Sequence, residues 1–293
     1  MTNLKSGLSG CHIELLKDDV LRKYSSDVDY NQRLLSQIKK QSLFSHFILQ
    51  NIETPRVHRI YQGTLFSFDM EYVTGFSFDE YFSHANTKQV DLVVDSLYGY
   101  FDFLIKNSRM YHTEVSRSIF EKKLDSMKDS ALLSHIREQI VDMHVPYSFC
   151  HGDLTFANII FHSNRLYFID FLDSFIDSYL IDFAKLKQDL FYFWNLKIQS
   201  INNLKIYQIY HYIWNRLEER YSDQLNTKAF KVLDAMNLLR IEPYLTDPTQ
   251  RIILKTLVEK TELYEDLSSS HGREVITLPQ HETQVDVDSP KEE

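Results

Sequence analysis

The sequence predicts an α+β fold, with a small strand-rich N-terminal part and a larger helical part after it. Three observations carry this. The first ~75 residues alternate short extended runs with turns around one helical stretch. After Gly75, apolar residues recur at helical spacing. Between helical stretches, two apolar runs flank the turn His162-Ser163-Asn164-Arg165, a hairpin bracketed by acidic residues.

The elements follow in order. Ser6-Gly7-Leu8-Ser9-Gly10 is a turn before the first strand. Ile13 to Leu16 and Val20 to Tyr24 flank Lys17-Asp18-Asp19 as a hairpin. Tyr30, Leu34, Leu35 and Ile38 fall on one helical face, which predicts a helix from Asp29 to Gln41. Pro55 to Val57 and Leu65 to Tyr72 read as further strands. Val93, Leu97, Phe101, Leu104 and Ile105 then make an apolar helix face. Helices are also expected over Phe183 to Asn195, Asn203 to Arg220, Thr227 to Arg240 and Thr249 to Asp266. The resulting domain expectation is 1–75 as a strand-rich N-terminal part with one helix, 76–266 as a helical C-terminal part and 267–293 as a disordered acidic tail. That tail has six acids against two bases and no aromatic residue to bury.

Bulk properties narrow the function classes. A chain of 293 residues is long enough for a two-lobed unit with a sizeable core. A net charge of -9 argues against nucleic-acid binding, which needs a basic surface. Cys11 and Cys150 alone make neither a disulfide framework nor a metal spacing. The N-terminus has no apolar signal region and no apolar run reaches membrane length, so a cytoplasmic protein without a membrane span is expected.

The most informative stretch is His151-Gly152-Asp153-Leu154-Thr155-Phe156-Ala157-Asn158, followed by Phe168-Ile169-Asp170-Phe171. A His-Gly-Asp tripeptide alone is compatible with an ordinary turn. The joint pattern of loop, strand, turn, strand and second Asp points to chemistry. Phosphoryl transfer needs a carboxylate to meet the acceptor hydroxyl and oxygen ligands to hold magnesium on the phosphates. Asp153 suits the first task; Asn158 and Asp170 suit the second.

At these residues the chain resembles the aminoglycoside phosphotransferase and choline kinase group of kinase-like small-molecule phosphotransferases. That group's His-Gly-Asp, four variable residues, Asn, hairpin and Ile-Asp-Phe all match here, and its Asp-Leu-Ala stands as Asp182-Phe183-Ala184. The resemblance is sharp from about Cys150 to Leu186. It implies a bilobal kinase-like fold, with five strands and one helix in the small lobe. It implies ATP and Mg2+ as cofactors and a small-molecule acceptor as partner.

The resemblance also implies site residues. Asp153 is the catalytic base, and His151 orients its loop. Asn158 and Asp170 are the metal ligands. The backbone of Ser9, Gly10 and Cys11 meets the phosphates, where glycine permits close approach. Leu21 and Lys23 share one strand face, placing an apolar side chain at the adenine and an ammonium at the phosphates. Met70 lines the base pocket, with backbone contacts from Glu71 and Val73. Gln37 stands where the group's helix carries a glutamate partner for the lysine, and Phe156 stands where a small or polar residue is usual. The expected function is an ATP-dependent kinase acting on a hydroxyl of a sugar, an amino alcohol or an aminoglycoside. The alternative is a catalytically silent nucleotide-binding module.

Overall fold

A computed structural model describes residues 11–17, 19–127, 131–245 and 247–264. Strands β1 (Cys11–Leu15) and β2 (Val20–Ser25) form the expected hairpin, with Lys23 opposite Ile13. Helix α1 (Asn31–Phe44) buries Leu34, Gln37, Ile38, Gln41 and Phe44, a stripe at helical spacing. It runs one turn past the predicted Gln41 because Phe44 is anchored in the large core, 5.1 Å from the Phe171 ring and 5.7 Å from Phe168. Strands β3 (Ile52–Glu53), β4 (Val57–Gln62) and β5 (Phe66–Glu71) follow.

The N-terminal sheet is antiparallel, in the order β1-β2-β5-β4. Among the described residues it has four strands rather than the five expected. The remaining strand, β3, runs parallel to Leu166–Tyr167 in the second half of the chain. Two local causes divert it. Asn51 takes a left-handed φ of 61° and its carbonyl accepts the Leu166 N–H, while Glu53 pairs with Arg165. Ile52 thereby enters the large core instead of the small sheet.

The helical part begins with α2 (Phe78–His84), whose N-terminus is closed by a reciprocal Ser77–Glu80 capping box. Asn86 and Gln89 do the same for α3 (Thr87–Lys106). A two-residue strand β6 (Arg109–Met110), α4 (Thr113–Asp125), α5 (Ala131–Gln139) and β7 (Pro146–Tyr147) lead to the central hairpin of β8 (Ile159–His162) and β9 (Arg165–Phe168). Then come α6 (Tyr179–Leu190), α7 (Trp194–Ile198), α8 (Leu204–Arg220), α9 (Ser222–Leu225), α10 (Lys228–Leu239) and α11 (Pro248–Val258). The expected Phe183–Asn195 helix is two helices, separated at Phe193 by a left-handed φ of 58°. The predicted stripe Ile206, Ile209, Ile213 and Leu217 is buried on α8.

Aromatic rings bind the large part together. Phe101 of α3 stacks on Phe183 of α6 with centroids 3.7 Å apart. Phe156 is fully buried against Phe82, Phe161 and Tyr210, so its unusual bulk fills the core. No described helix is long and apolar enough to cross a membrane. Ser9 and Gly10, expected at the phosphates, and the expected disordered tail lie outside the described residues.

Candidate active site

Between Cys150 and the 3₁₀ turn Phe156–Asn158, the chain folds over itself at Gly152, with φ of 88°. A Cβ there would lie 2.1 Å from the Leu172 carbonyl oxygen, so the crossing requires glycine both sterically and conformationally. His151 is buried and holds the crossing on both sides. Its Nε2 bonds the Ile169 carbonyl at 2.8 Å, and its Nδ1 accepts the Asp153 N–H at 3.2 Å. This pattern assigns the proton to Nε2. Burial holds the imidazole down to about 4, so it is neutral at physiological pH. The ring also stacks on Phe171 at 4.3 Å. His151 is thus built into the loop as an orienting group.

Asp153 is half-buried. Asn158 Nδ2 donates to its Oδ2 at 3.0 Å and to its carbonyl at 2.8 Å. Lys185 Nζ meets its Oδ1 at 3.1 Å. Burial alone would raise the Asp153 carboxyl, but the Lys185 ammonium and the hydrogen bonds hold it below the usual carboxylate value. With its Nδ2 committed to Asp153, Asn158 keeps its carboxamide oxygen for another partner.

Helix α6 is buried along its whole length, yet it carries Asp182, Lys185 and Asp189 at spacings that put them on one face. All three grip the loop, in order. Asp182 accepts the N–H groups of His151 at 2.7 Å and Gly152 at 2.8 Å, and the Tyr100 hydroxyl at 2.6 Å. Lys185 takes the Asp153 carboxylate. Asp189 accepts the Phe156 N–H at 2.8 Å. Burial pushes both Asp182 and Asp189 up to about 6 despite these donors. Lys185, Asp189 and Tyr100 are not among the residues that the sequence motifs single out. The available signal was a charged stripe of 3- and 4-residue spacing, Asp182, Lys185 and Asp189.

From the small sheet, Lys23 of β2 reaches Asp170 with Nζ–Oδ1 of 2.7 Å. Its side chain is 2% exposed, and burial alone would lower the ammonium; Asp170 raises it above its ordinary value. Asp170 adopts a left-handed φ of 60°, which Asp tolerates better than most residues. Here the helix register needs correcting. Gln37 is buried, but its Oε1 has no hydrogen-bond partner, and the ammonium of Lys23 goes to Asp170 instead. Without a carboxylate on α1, the acid at the end of the hairpin is the acceptor that Lys23 finds. Helix α1 contributes a cation: Lys40 bonds the Leu172 carbonyl at 3.0 Å and pairs with Asp177 at 3.0 Å. Asp177 is therefore paired, while Asp173 is exposed.

Arg22, on the opposite strand face as expected, pairs with Asp69 away from the site. Leu21 stands opposite Met70 across β2 and β5, and both pack with Leu34, Ile38, Phe66 and Phe68. Cys11 is buried at the start of β1, opposite Ser25. The Glu71 N–H donates to the Arg56 carbonyl and the Tyr72 N–H to the Asp19 carbonyl, so neither is open to a nucleobase. Val73 is half-buried just beyond them. The structure thus brings Lys23, His151, Asp153, Asn158 and Asp170 into one connected cluster and adds Lys185 to it.

A sequence model of the family described as the phosphotransferase enzyme family (APH) matches residues 98–219. Comparison with curated protein sequences gives no match. Among solved structures, the gentamicin complex of APH(2")-IIa has a TM-score of 0.55 at 16% identity, over 89% of this chain and 91% of that one. The GDP and kanamycin complex of APH(2")-IIia has 0.55 at 14%, over 92% and 93%. A thermostable APH(4)-Ia mutant in its apo form has 0.55 at 10%, over 93% and 95%. At such identities the structural likeness speaks for the fold. The resemblance to the aminoglycoside phosphotransferase group, and the bilobal kinase-like fold that it implies, are both borne out.

Proposed function

We propose that this chain is an ATP-dependent small-molecule kinase that transfers the γ-phosphate to a hydroxyl of a small polar metabolite. One observation carries the reading: His151 ties the Asp153 loop to Ile169, next to Asp170, and Asp170 receives Lys23 from the other lobe. A carboxylate, an oxygen-rich edge and an ammonium are thus held in one connected cluster. Among solved proteins of this fold, one is a ternary complex of APH(2")-IIa with streptomycin and ATP. A sugar, an amino alcohol or an aminoglycoside is the acceptor class this reading carries over. We read the lobes as 1–75 and 76–266.

In this reading Asp153 aligns the acceptor hydroxyl and takes its proton as the new bond to phosphorus forms. Its lowered carboxyl makes it a weak base, which suits a loose transition state where alignment outweighs proton transfer. Lys23 holds nucleotide phosphates with the ammonium now on Asp170. Cys11 borders the phosphates; Leu21 and Met70 line the adenine pocket, and Val73 with the Glu71 carbonyl meets its edge.

The donor set fits magnesium. Asp170 is half exposed and Asn158 presents a carboxamide oxygen. Magnesium on nucleotide phosphates is commonly held by one or two protein oxygens with waters. Asn158 and Asp170 would hold it, and it would neutralise charge on the phosphates.

The test is coupled ADP release from Mg-ATP over a panel of sugars, amino alcohols and aminoglycosides. Asp153→Asn should lower turnover roughly 10^2-fold or more with ATP affinity kept. ATP binding without ADP release on any acceptor would leave the silent module as the reading.

A further inference from the structure

Lys185 is the one cation in the α6 stripe that grips the catalytic loop. Its side chain is 11% exposed, inside a helix buried on every side. An ammonium so placed needs partners, and it has two: Asp153 Oδ1 at 3.1 Å and Gln188 Oε1 at 3.3 Å. The Asp153 carboxylate is consequently fixed at both oxygens, Oδ1 by Lys185 and Oδ2 by Asn158. Either contact alone would leave it free to swing about its Cβ–Cγ bond, a broad torsion with little intrinsic preference. Together they set its plane. The flanking backbone is fixed from the same helix, through Asp182 on one side and Asp189 on the other.

We propose that Lys185 is a positioning residue of the transfer, an ammonium fixed by α6 that sets the direction of the Asp153 carboxylate toward the acceptor hydroxyl. This rests on Asp153 being the group that meets the acceptor. Removing one partner of a buried ion pair with a purely structural role lowers stability, and activity only as far as folding is lost. A positioning role shows in kcat of the folded chain, because direction is what the reaction uses.

The experiment uses the full chain with Mg-ATP, both with water as acceptor and with the acceptor panel. Lys185→Met, which retains length without charge, should lower kcat about 10- to 100-fold while KM for Mg-ATP stays unchanged. Lys185→Arg should restore most of it. As an arm independent of turnover, the Asn158 side-chain amide resonance in a ¹⁵N spectrum reports its bond to Asp153. It should move in Lys185→Met and return in Lys185→Arg. Should the Met variant fold poorly, Lys185→Gln carries the same expectations. Wild-type kcat in the Met variant, or an unmoved Asn158 resonance, would overturn the assignment of Lys185. Loss tracking melting temperature without rescue by Arg would also overturn it. A wild-type chain that releases no ADP under any condition overturns the kinase reading itself, and the role of Lys185 in transfer with it.

Discussion

Replacing Asp182 by Asn tests the anchoring of the loop from His151 to Asn158 through a pH signature. Asp182 is fully buried, and its two oxygens accept three donors: Tyr100, His151 N–H and Gly152 N–H. Burial nonetheless pushes its carboxyl up to about 6, from an ordinary value of 3.8. A rise of about two units corresponds to about 3 kcal/mol. For a carboxyl raised on folding, this contribution is fully present below the unfolded value and is lost as pH rises through the folded one. Wild-type stability should therefore lose about 3 kcal/mol from this group between about pH 4 and pH 7. Asn does not titrate and has no such slope. It also turns an NH2 group toward one of the two backbone donors, leaving a buried N–H unpaired at about 1–3 kcal/mol. Urea unfolding of both chains across that range gives the difference directly. The destabilisation by Asp182→Asn should shrink by about 3 kcal/mol from the acidic to the neutral end. His151, held down to about 4 by burial, titrates in both chains and drops out of the comparison. A destabilisation that stays constant, or grows with pH, would refute the argument.

Asp170→Ala should weaken magnesium-dependent ATP binding more than Asn158→Ala, because it removes a charge and leaves the buried Lys23 without its 2.7 Å partner; calorimetric titration of Mg-ATP into each variant measures it, and equal affinities would move the metal ligands elsewhere. Gly152→Ala should unfold the loop at a cost of at least about 1–3 kcal/mol from its φ of 88°, before the collision with the Leu172 carbonyl is added; an unchanged melting temperature would contradict the crossing. Phe44→Ala should lower stability by about 3–5 kcal/mol, since its ring joins α1 to Phe168 and Phe171; chemical denaturation checks this.

Local pattern carried much of the fold. The β1–β2 hairpin, the central hairpin and the stripe on α8 each follow from residues adjacent or at fixed periods, and each stands where the sequence puts it. Misses arose where a distant partner decided the outcome. Nothing near Ile52 announces that it will pair with Leu166, and nothing near Gln41 says that α1 must continue until Phe44 meets the core. Such contacts depend on tertiary packing, which overrides local propensity at element ends.

The candidate site divides the same way. His151, Asp153, Asn158 and Asp170 were legible because a loop and a hairpin place them within twenty residues of one another. The partner of Lys23 was not, because the pair spans 147 positions and joins two lobes. The expectation of a helix partner led to Gln37, which is buried on α1 but has no charge to offer. What α1 does supply, one turn later, is Lys40 to the Leu172 carbonyl and Asp177. Two lysines of the small lobe thus reach one acidic loop of the large lobe. Lysine side chains are long enough to make either contact from several registers, so alternation and periodicity narrow their faces but not their partners. Lys185 is the opposite case. Its face is fixed by spacing from Asp182 and Asp189, both readable, and its burial follows from the apolar residues around it. A buried lysine demands an acid, and Asp153 is the carboxylate that Lys185 meets in the loop. That contact could have been reasoned from the sequence once the Asp-Phe-Ala segment was taken as part of a buried helix.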